Sequence, residues 1–427
     1  MDFDEHLKRY LSQEEIIALE DALNEPSKHA LLLNITKMSE ETLLSIYPSL
    51  TKHPIVKNAF LYNKDELDLG KSVYHELGCF YLQEPSAMLP AFLLNPKPHE
   101  LVLDLCAAPG GKSMQASLLM ENTGLIIAND IAKTRAFAIS ENAERMGRGN
   151  LLITNNDFSL IYRKYLNTFD KVILDAPCSG SGMFRKQSEM KDDWSMAKVL
   201  KYAEIQKALI LIAYQMLKEG GEMVYSTCSF SLEEDEEVIA YLLDNSDATI
   251  IPIEDNPLYY VNKNQPLGIH LLPSLFPGEG HYICLIKKPG ECQVSSKEKT
   301  SKIPYQIPTN GYQNYQKYGD YLFLNSQDFN TKYLNVIRYG VKVGEIDKND
   351  IRFDYHYAHF VNGFKPTFEL TENDILKYYQ GESINRATEK GYLLLQYQGI
   401  NVDIAKCDGR IIKNRLPKGL RKKLLIK

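Results

Sequence analysis

The sequence predicts an α/β protein built on a mainly parallel β-sheet. Two observations carry this prediction. Apolar runs of strand length alternate with segments of helical length and spacing, which is the pattern of repeated βα units. Three of the apolar runs end in loops rich in Gly, Pro, Ser and Cys. Because ligands bind beyond the carboxyl ends of strands in an open parallel sheet, these three loops should meet at one pocket.

The alternation of strands and helices is clearest between residues 101 and 287. Strands are predicted at 101–105, 124–129, 150–154, 171–175, 222–226 and 282–287. Helices are predicted at 111–121, 133–146 and 197–217. Ser231 and Glu234 have the spacing of a capping box, and further acidic residues follow them. We therefore predict a helix start at Ser231 rather than a metal site in this acidic run.

The length of 427 residues is too great for one hydrophobic core, so several domains are expected. A polar segment poor in apolar residues predicts a linker at 289–302. The sequence is thereby divided into a part with short helical segments, the alternating part, the linker and a C-terminal part. Their predicted boundaries are 1–70, 71–288, 289–302 and 303–427. The last part is rich in tyrosine and in short β-like runs such as 321–324 and 391–397.

Composition and cysteine usage exclude several classes of protein. Hydrophobic residues make up 44% of the chain and charged residues 24%, as in ordinary globular proteins. No apolar stretch approaches the roughly 18 residues that span a bilayer, and the first residues do not resemble a secretion signal. The seven cysteines form no C-x-x-C pair, which argues against a zinc site or a disulfide framework. We expect a protein of the reducing cytoplasm without a metal.

Charge is distributed unevenly along the chain. The net charge is −6, yet basic residues outnumber acidic ones by about seven from Glu291 onward. Segregated positive charge is typical of a polyanion-binding domain, and the alternative is a solvated tail that binds nothing. The final stretch contains no acidic residue among its basic ones, which are Arg410, Lys413, Arg415, Lys418, Arg421, Lys422, Lys423 and Lys427.

The first of the three loops has the composition of a cofactor-binding turn. It contains Cys106, Ala107, Ala108, Pro109, Gly110, Gly111 and Lys112. Small residues and paired glycines permit close approach of a ligand to the backbone. The loop lacks both the G-x-G-x-x-G spacing for a pyrophosphate and the P-loop spacing. Cys106 is interpreted as a small packed residue rather than a nucleophile.

Acidic residues follow the predicted strands next to this turn. Asp104 could accept a hydrogen bond from a ligand amine, and Asp130 could bind ribose hydroxyls. Asp157, at the end of the third strand, could bind an adenine amino group. A nucleoside with an amine and without a pyrophosphate is S-adenosyl-L-methionine. The spacing favours this cofactor, while NAD and a turn without a ligand remain the alternatives.

The other two loops carry Cys178 and Cys228. A buried inert thiol is the more common interpretation of either cysteine alone, but two at adjacent strand ends favour nucleophilic chemistry. A thiolate that adds to C6 of cytosine makes C5 nucleophilic, and protonation of N3 assists that addition. Asp175 is placed to contact a protonated N3, although it could instead be a structural loop aspartate.

Four segments together resemble the NOL1/NOP2/Sun family of RNA cytosine-C5 methyltransferases, and especially its bacterial ribosomal RNA members. The similarity is strong over residues 70–288. The segments are Cys79-Phe80-Tyr81-Leu82-Gln83-Glu84-Pro85-Ser86-Ala87-Met88, Asp104 to Lys112, Asp175-Ala176-Pro177-Cys178-Ser179-Gly180 and Ser226-Thr227-Cys228-Ser229.

The resemblance implies a Rossmann-like class I methyltransferase fold with a mainly parallel seven-stranded sheet and S-adenosyl-L-methionine as cofactor. It implies that Cys228 is the nucleophile, that Cys178 assists release of the RNA, and that Asp175 contacts the target base. The implied cofactor residues are Cys106, Ala107, Ala108, Pro109, Gly110, Gly111, Lys112, Asp130, Asp157 and Asp175. Lys112 and Arg135 could also contact the cofactor or RNA.

The resemblance also implies the roles of the flanking parts. Residues 1–70 resemble a small α/β accessory domain for RNA binding, and residues 303–427 an α+β and β region with a PUA-like RNA-binding domain. The most similar C-terminal stretch is 414–421. The sequence departs from the family at 272–274 and at Gly280-His281, where an aromatic residue usually follows the glycine. The implied protein is a monomer that binds ribosomal RNA or the small ribosomal subunit and methylates 16S RNA.

Other functions compete with this interpretation. Transfer RNA is an alternative substrate, and a non-catalytic RNA-binding or ribosome-assembly protein on the same fold is an alternative of another class. A DNA cytosine-C5 methyltransferase would carry a Glu-Asn-Val motif, which this sequence lacks. A Rossmann dehydrogenase is disfavoured by the missing pyrophosphate glycines.

Overall fold

A computed structural model describes residues 3–185, 191, 193–291, 303, 306–347 and 350–426. These residues form a central open sheet, a smaller N-terminal sheet and two C-terminal sheets. Most of the linker predicted at 289–302 lies outside the described residues, as does Lys427 at the end of the basic stretch. No helix in the described ranges has the length and apolar character required to cross a membrane.

The N-terminal part combines short helices with an antiparallel sheet. Its helices are α1 (Phe3–Leu7), α2 (Gln13–Leu23), α3 (Glu40–Ile46) and α4 (Val73–Glu76). Its strands, in the order β2-β3-β1-β4, are β1 (His29–Leu33), β2 (Thr51–Lys52), β3 (Ala59–Tyr62) and β4 (Phe80–Gln83). A capping box starts α2, because the Ser12 hydroxyl accepts from the Glu15 amide and the Glu15 carboxylate accepts from the Ser12 amide.

The central sheet is mainly parallel. Its strands are β5 (Leu101–Asp104), β6 (Leu125–Asn129), β7 (Leu151–Thr154), β8 (Phe169–Asp175), β9 (Leu217–Thr227), β10 (Thr249–Ile251), β11 (Ile269–Leu271) and β12 (His281–Lys287). The order along the sheet is β10-β12-β9-β8-β5-β6-β7, and β11 pairs with β12. Strands β5 to β9 are parallel, whereas β12 runs antiparallel to β9. The first residues of β12 therefore lie at the same edge as the last residues of β9.

Helices cover both faces of this sheet, so neighbouring residues of a strand point into two different cores. Val102 and Ile126 belong to one core, whereas Leu103 and Ile127 belong to the other. Burial on both faces explains why these strands are nearly continuous apolar runs. The helices of this part are α5 (Leu89–Leu94), α6 (Gly111–Leu119), α7 (Lys133–Met146), α8 (Phe158–Ile161), α9 (Met196–Met216) and α10 (Glu236–Asp244).

The predicted α/β order is confirmed. Every strand and helix predicted between 101 and 226 is present, with the largest shift at the start of β9. The Rossmann-like sheet is larger than expected, because nine strands of the described residues belong to it where seven were predicted. The two additional strands are β11 and a C-terminal strand that joins the β7 edge.

The predicted helix start at Ser231 is wrong, because α10 begins five residues later at Glu236. The Ser231 hydroxyl is buried and has no hydrogen-bond partner among the described residues. Glu234, which a capping box would turn back onto the Ser231 amide, points into the protein and bonds to two serine side chains of other turns. Tertiary hydrogen bonds therefore outweigh the local capping pattern at this position.

The C-terminal part forms two sheets with the orders β13-β14-β16-β17 and β18-β20-β21-β22-β19. Its helices are α11 (Tyr355–Phe360) and α12 (Glu372–Tyr379). Its strands are β13 (Asn314–Tyr318), β14 (Tyr321–Asn325), β15 (Val336–Tyr339), β16 (Val341–Asp347), β17 (Asp350–Phe353), β18 (Thr367–Glu369), β19 (Ile384–Asn385), β20 (Gly391–Tyr397), β21 (Ile400–Cys407) and β22 (Ile411–Lys413).

The C-terminal part is joined to the rest of the chain in two ways. Strand β15 pairs antiparallel with β7 and thereby extends the central sheet. In addition, a shared hydrophobic core contains Tyr74 and Phe80 from the N-terminal part and Tyr378 and Leu395 from the C-terminal part. These contacts place three segments of the chain around one end of the central sheet.

Candidate active site

The two loop cysteines meet at the carboxyl edge of the central sheet. Cys178 follows β8 and Cys228 follows β9, and these strands are parallel neighbours. The distance between the two Sγ atoms is 3.0 Å. The Gly182 amide also donates to the Cys228 carbonyl at 2.8 Å, which fixes one loop against the other. The structure thus brings the two predicted thiols into direct contact.

The buried carboxylate of Glu234 connects the two cysteine loops. It accepts hydrogen bonds from the Ser179 amide at 2.8 Å, the Ser179 hydroxyl at 2.5 Å and the Ser229 hydroxyl at 2.7 Å. A fourth donor is the Gln206 side chain at 3.0 Å. Burial raises the pKa of Glu234, and the serine hydrogen bonds oppose that rise. Each serine directly follows a cysteine, so one carboxylate positions both thiols.

Asp175 lies at the end of β8 among three polar side chains. The Ser226 hydroxyl donates to Oδ1 at 2.7 Å, and Lys112 Nζ donates to Oδ2 at 2.7 Å. His281 Nε2 lies 3.6 Å from Oδ1. Burial alone would raise the pKa of Asp175, but the charge and hydrogen bond of Lys112 and the nearby His281 lower it well below its ordinary value. Asp175 is therefore a carboxylate at neutral pH and can only accept hydrogen bonds.

The surroundings of Cys178 favour its protonated thiol. The pKa of Cys178 is raised well above its ordinary value, first by its hydrogen bond to Cys228 and then by burial. A retained proton on Cys178 would stabilise a neighbouring thiolate on Cys228 by hydrogen bonding. The Sγ–Sγ distance of 3.0 Å is short enough for such a hydrogen bond.

Asp104 supplies a buried carboxylate beside the predicted cofactor turn. Its Oδ2 accepts from the Ser113 hydroxyl at 2.6 Å, whereas Oδ1 is buried with no hydrogen-bond partner in the described part of the chain. Burial raises the pKa of Asp104 to about 7, against the Ser113 hydrogen bond and the Lys112 charge. An unpartnered buried carboxylate oxygen is costly and fits a site for a cationic ligand group such as an amine.

The cofactor turn links β5 to α6. Its backbone is fixed by the Ala107 amide, which donates to the Asn129 carbonyl at 2.7 Å. Gly110 has φ = 111°, a conformation that favours glycine over any residue with a Cβ atom. Burial raises the pKa of Cys106 far above its ordinary value, and Asp104 raises it further. Such a thiol stays protonated, in agreement with its interpretation as a packed residue rather than a nucleophile.

Two further predicted cofactor residues lie after neighbouring strands. Asp130 follows β6 and is buried; its Oδ1 accepts from the Ala132 amide at 2.8 Å, and Arg135 lies 3.4 Å from Oδ2. Arg135 also donates to the Ala108 carbonyl at 3.0 Å, so it connects the two loops. Asp157 is exposed and caps α8 through the Ser159 amide at 3.0 Å. Its local capping role is compatible with a ligand contact through the other carboxylate oxygen.

The site contains residues that the sequence analysis did not select. They are Glu234, which was taken for part of a capping box, Ser226, and His281, which was noted only as a departure from the family pattern. A usable signal existed for His281. It directly precedes the strand predicted at 282–287, which is β12 in the structure, and a strand antiparallel to β9 must begin at the edge where β9 ends. No local pattern identifies Glu234, because its partners follow strands 50 residues apart in the sequence.

The acidic run also forms a buried cluster behind the cysteine loops. Potential ligand atoms of Asp235, Glu236 and His270 lie within 4.8 Å of one another. Internal bonds already use several of them: His270 Nε2 contacts Glu236 Oε1 at 2.8 Å, and the Thr227 hydroxyl donates to Asp235 at 2.6 Å. The expectation that the protein holds no metal stays a prediction.

The basic C-terminal stretch is largely exposed. The exposed side chains include Arg410, Lys413, Lys418, Arg421, Lys422 and Lys423. Lys422 pairs with the buried Glu76 of the N-terminal part at 2.6 Å. Arg415 is half-buried and donates to the Phe353 carbonyl at 3.0 Å, so its role includes packing.

Three sequence families match successive parts of the chain. Their descriptions are the N-terminal domain of 16S rRNA methyltransferase RsmF at residues 1–85, 16S rRNA methyltransferase RsmB/F at residues 91–287, and the methyltransferase RsmF PUA domain at residues 365–422. These matches confirm the resemblance to methyltransferases that the motifs predicted.

Curated relatives align with this chain over most of the length of both proteins. Ribosomal RNA small subunit methyltransferase F of Vibrio parahaemolyticus is 30% identical, and the alignment covers 96% of this chain and 94% of the relative. The protein of the same name from Psychromonas ingrahamii is also 30% identical, with 97% and 94% covered.

Solved structures support the fold. A methyltransferase homologue from Pyrococcus horikoshii has a TM-score of 0.59 at 29% identity and covers 66% of this chain and 93% of its own. NSun6 from the same organism has a TM-score of 0.62 at 20% identity and covers 68% and 98%. The paired cysteines, the cofactor turn and the full-length relatives agree: the chain belongs to the RsmB/F family of 16S rRNA methyltransferases.

Proposed function

We propose that this methyltransferase transfers a methyl group from S-adenosyl-L-methionine to C5 of a cytosine in 16S ribosomal RNA, with Cys228 as a covalent nucleophile. The observation that carries the proposal is the 3.0 Å contact between Cys178 and Cys228 beside the ionised Asp175. The relatives are named for small-subunit ribosomal RNA, which supports the choice of RNA. The remaining steps are derived from the side chains of this site.

The residues at the carboxyl edge fit an S-adenosyl-L-methionine molecule. Oδ1 of Asp104, which has no hydrogen-bond partner within the described residues, suits the amine, and the turn Cys106 to Lys112 permits close approach of the ligand. Asp130 is proposed to bind the ribose hydroxyls, Asp157 the adenine amino group, and Asp175 is proposed as a further cofactor residue. The cofactor supplies an electrophilic methyl group on a sulfonium centre. The protein contributes position, since the carboxylates follow adjacent strands.

The target cytosine must leave its stack so that its ring reaches Cys228. The thiolate of Cys228 adds to C6 while N3 takes up a proton from solvent, and the neutral adduct is an enamine with a nucleophilic C5. Asp175 is proposed to accept a hydrogen bond from the N3–H group of this adduct. Because its pKa is held low, Asp175 orients the ring as a charged acceptor and does not supply the N3 proton.

Release of the product reverses the addition. Once C5 carries the methyl group, its hydrogen leaves as a proton to solvent, the C5–H electron pair forms the C5=C6 double bond and expels the sulfur of Cys228 from C6, and N3 returns its proton to solvent. Cys178 is proposed to assist this step because its thiol touches the sulfur that must leave. A protonated Cys178 can donate a hydrogen bond to the departing thiolate and return the pair to its starting state.

Paired cysteine variants test this assignment in the full-length protein. With radiolabelled S-adenosyl-L-methionine and 16S RNA, Cys228→Ala should lower methyl transfer by more than about a thousandfold, because the covalent route is lost. Cys178→Ala should accumulate a protein–RNA adduct that survives denaturing electrophoresis. Cys407→Ser, in the C-terminal sheet, is the matched control and should retain activity. An adduct with Cys228→Ala and none with Cys178→Ala would contradict the assignment.

We propose that the flanking parts bind the RNA outside the pocket. The proposed division is 1–70, 71–288, 289–302 and 303–427, with the first and last parts as RNA-binding regions. Support comes from the exposed basic residues after Arg410 and from the match to a PUA domain. The protein is proposed to act as a cytoplasmic monomer, consistent with a substrate that is ribosomal RNA.

A further inference from the structure

A second polar cavity lies at the edge of the central sheet opposite the cysteines. It has a volume of about 410 Å³ and is lined by residues of all three parts of the chain. His99, Thr123 and Arg148 reach it from segments that precede β5, β6 and β7. Because the amino and carboxyl ends of parallel strands form opposite edges, this cavity is separate from the proposed active site. Its size is within the range of sites that hold small molecules.

Arg148 is the most unusual side chain in this cavity. It is only 4% exposed, and its Nε and Nη1 atoms have no hydrogen-bond partner among the described residues. The nearest polar contact is from Nη2 to the Thr36 hydroxyl at 3.4 Å. In the described ranges, no carboxylate forms an ion pair with it. A buried guanidinium without an anion is strongly unfavourable, and arginine cannot become neutral.

Two more nitrogen-bearing side chains line the same cavity. Lys37 donates to the Leu77 carbonyl at 2.7 Å and to the Arg145 carbonyl at 3.1 Å, and it lies 3.3 Å from His359 Nδ1. Burial lowers the pKa of Lys37 to about 7. His359 Nε2 is buried and unpartnered in the described part of the chain. Among the lining residues, the only carboxylate is that of Glu121, which is exposed.

We infer that this cavity is a binding site for an oxyanion of the phosphate class, with Arg148 as its principal charge, His359 as a further donor and Lys37 as a nearby positive charge. A planar guanidinium binds a tetrahedral oxyanion through two parallel hydrogen bonds. A bound anion would also favour the charged form of Lys37, whose pKa burial otherwise depresses. The anion would contact the N-terminal, central and C-terminal parts at once. The inference does not depend on the methyl-transfer reaction.

Thermal unfolding of the full-length protein tests the site with inorganic phosphate as the probe. Unfolding is followed at pH 7.5 in sodium phosphate and in sodium chloride of equal ionic strength. A ligand that binds only the folded state raises the melting temperature as its concentration exceeds Kd, here by about 2 °C for a tenfold excess. Phosphate also stabilises proteins without binding a site, so the wild-type result needs matched variants.

Three variants separate site binding from this general effect. Arg148→Met should abolish the difference between phosphate and chloride, and Arg148→Lys should retain part of it because the charge remains. Arg163→Met removes an exposed arginine outside the cavity and should respond like the wild type. Circular dichroism confirms that each variant is folded. An equal phosphate response in the wild type, Arg148→Met and Arg148→Lys would overturn the inference.

A second measurement identifies the source of the phosphate group. Binding of a fluorescent single-stranded RNA is measured with and without inorganic phosphate at constant ionic strength. If an RNA phosphate occupies the cavity, phosphate weakens RNA binding to the wild type but not to Arg148→Met, which itself binds RNA several-fold more weakly. If a free oxyanion occupies it, RNA affinity is unchanged by phosphate while the Arg148-dependent thermal shift persists. The inference of an oxyanion site is contradicted if Arg148→Met changes neither the phosphate-dependent melting temperature nor RNA binding.

Discussion

The two edges of the central sheet differ in how far their charged side chains are paired within the protein. At the carboxyl edge, the carboxylate of Glu234 accepts four hydrogen bonds, and Asp175 is paired with Lys112 at 2.7 Å. At the amino edge, the guanidinium of Arg148 is buried, and two of its nitrogens have no hydrogen-bond partner among the described residues. At the carboxyl edge, the charged groups are therefore largely satisfied by partners within the chain. At the amino edge, the positive charge of Arg148 has no anionic partner in the described part of the chain, and we infer that an external anion binds it.

Glu234→Gln, at the carboxyl edge, is expected to cause the largest change, which is a loss of methyl-transfer activity. The amide that replaces the carboxylate has only one acceptor oxygen. Its NH2 group would face serine hydroxyls that donate hydrogen bonds in the wild type, so the bridge between the two cysteine loops is lost. We expect kcat to fall by about a hundredfold with little change in KM for the methyl donor. Steady-state methyl transfer measures both constants.

The outcome for Glu234→Asp distinguishes a positioning role from a purely structural one. The shorter carboxylate keeps the charge and both acceptor oxygens, so part of the lost kcat should return. Equal kcat for Glu234→Gln and the wild type would show that the loops hold the thiols together without this carboxylate.

Gly147→Ala perturbs the opposite edge. Gly147 has φ = 67°, and a Cβ atom there would lie 2.2 Å from the His359 carbonyl oxygen. The substitution should lower the free energy of unfolding by about 2–3 kcal/mol, because backbone strain is added to a clash with the C-terminal part. Chemical denaturation measures the loss.

Gly363→Ala is the matched control for that loss. Its φ of 75° is similar, but no atom lies within 4 Å of the added Cβ. This variant should show only the backbone cost of about 1 kcal/mol. Equal losses for the two variants would mean that the contact between residues 147 and 359 does not constrain the amino edge.

The smallest expected effect is on cofactor affinity and concerns Asp104, whose Oδ1 has no hydrogen-bond partner among the described residues. Its pKa of about 7 predicts that a cationic cofactor amine binds only after the carboxyl loses its proton. Cofactor affinity should rise about tenfold per pH unit up to pH 7 and then level off. Calorimetry in buffers of different ionisation enthalpy measures the released proton, and Asp104→Asn should remove the dependence. A pH-independent affinity between 5.5 and 7 would contradict this account.

The Asp104 carboxyl has the opposite pH dependence for the stability of the cofactor-free protein, which falls as the pH rises. Its folded pKa is raised, whereas an unfolded aspartate loses its proton near pH 4. Stability contributed by the protonated form is therefore fully present below about pH 4 and is lost as the pH rises through 7. Bound cofactor should offset that loss.

The predictability of the two edges differs for a physical reason. The central strands and the cysteine loops could be predicted because apolar runs and turn residues are local signals, and the rule for parallel sheets places strand ends together. Glu234 could not be predicted, since its partners Ser179 and Ser229 become neighbours only when β8 and β9 pair. Its spacing from Ser231 even suggested the wrong local role.

The amino-edge cavity has no sequence signal at all. Lys37, Arg148 and His359 lie in three distant segments and belong to no motif. Their proximity depends on how the N-terminal and C-terminal parts pack against α7, which composition and periodicity do not encode. The two thiols could be predicted, by contrast, because each cysteine lies in a loop with a recognisable sequence. Their contact then follows from the order of the strands in the sheet.

Strand β15 protects an edge that would otherwise offer unpaired backbone groups. By pairing with β7, it occupies N–H and C=O groups that could recruit a strand from another molecule. A protein shortened near residue 303 would expose that edge, together with apolar side chains of the shared core such as Phe80. Self-association of the shortened chain would then obscure any loss of RNA affinity, so removing charges from the intact protein is the sounder way to measure the contribution of its C-terminal part.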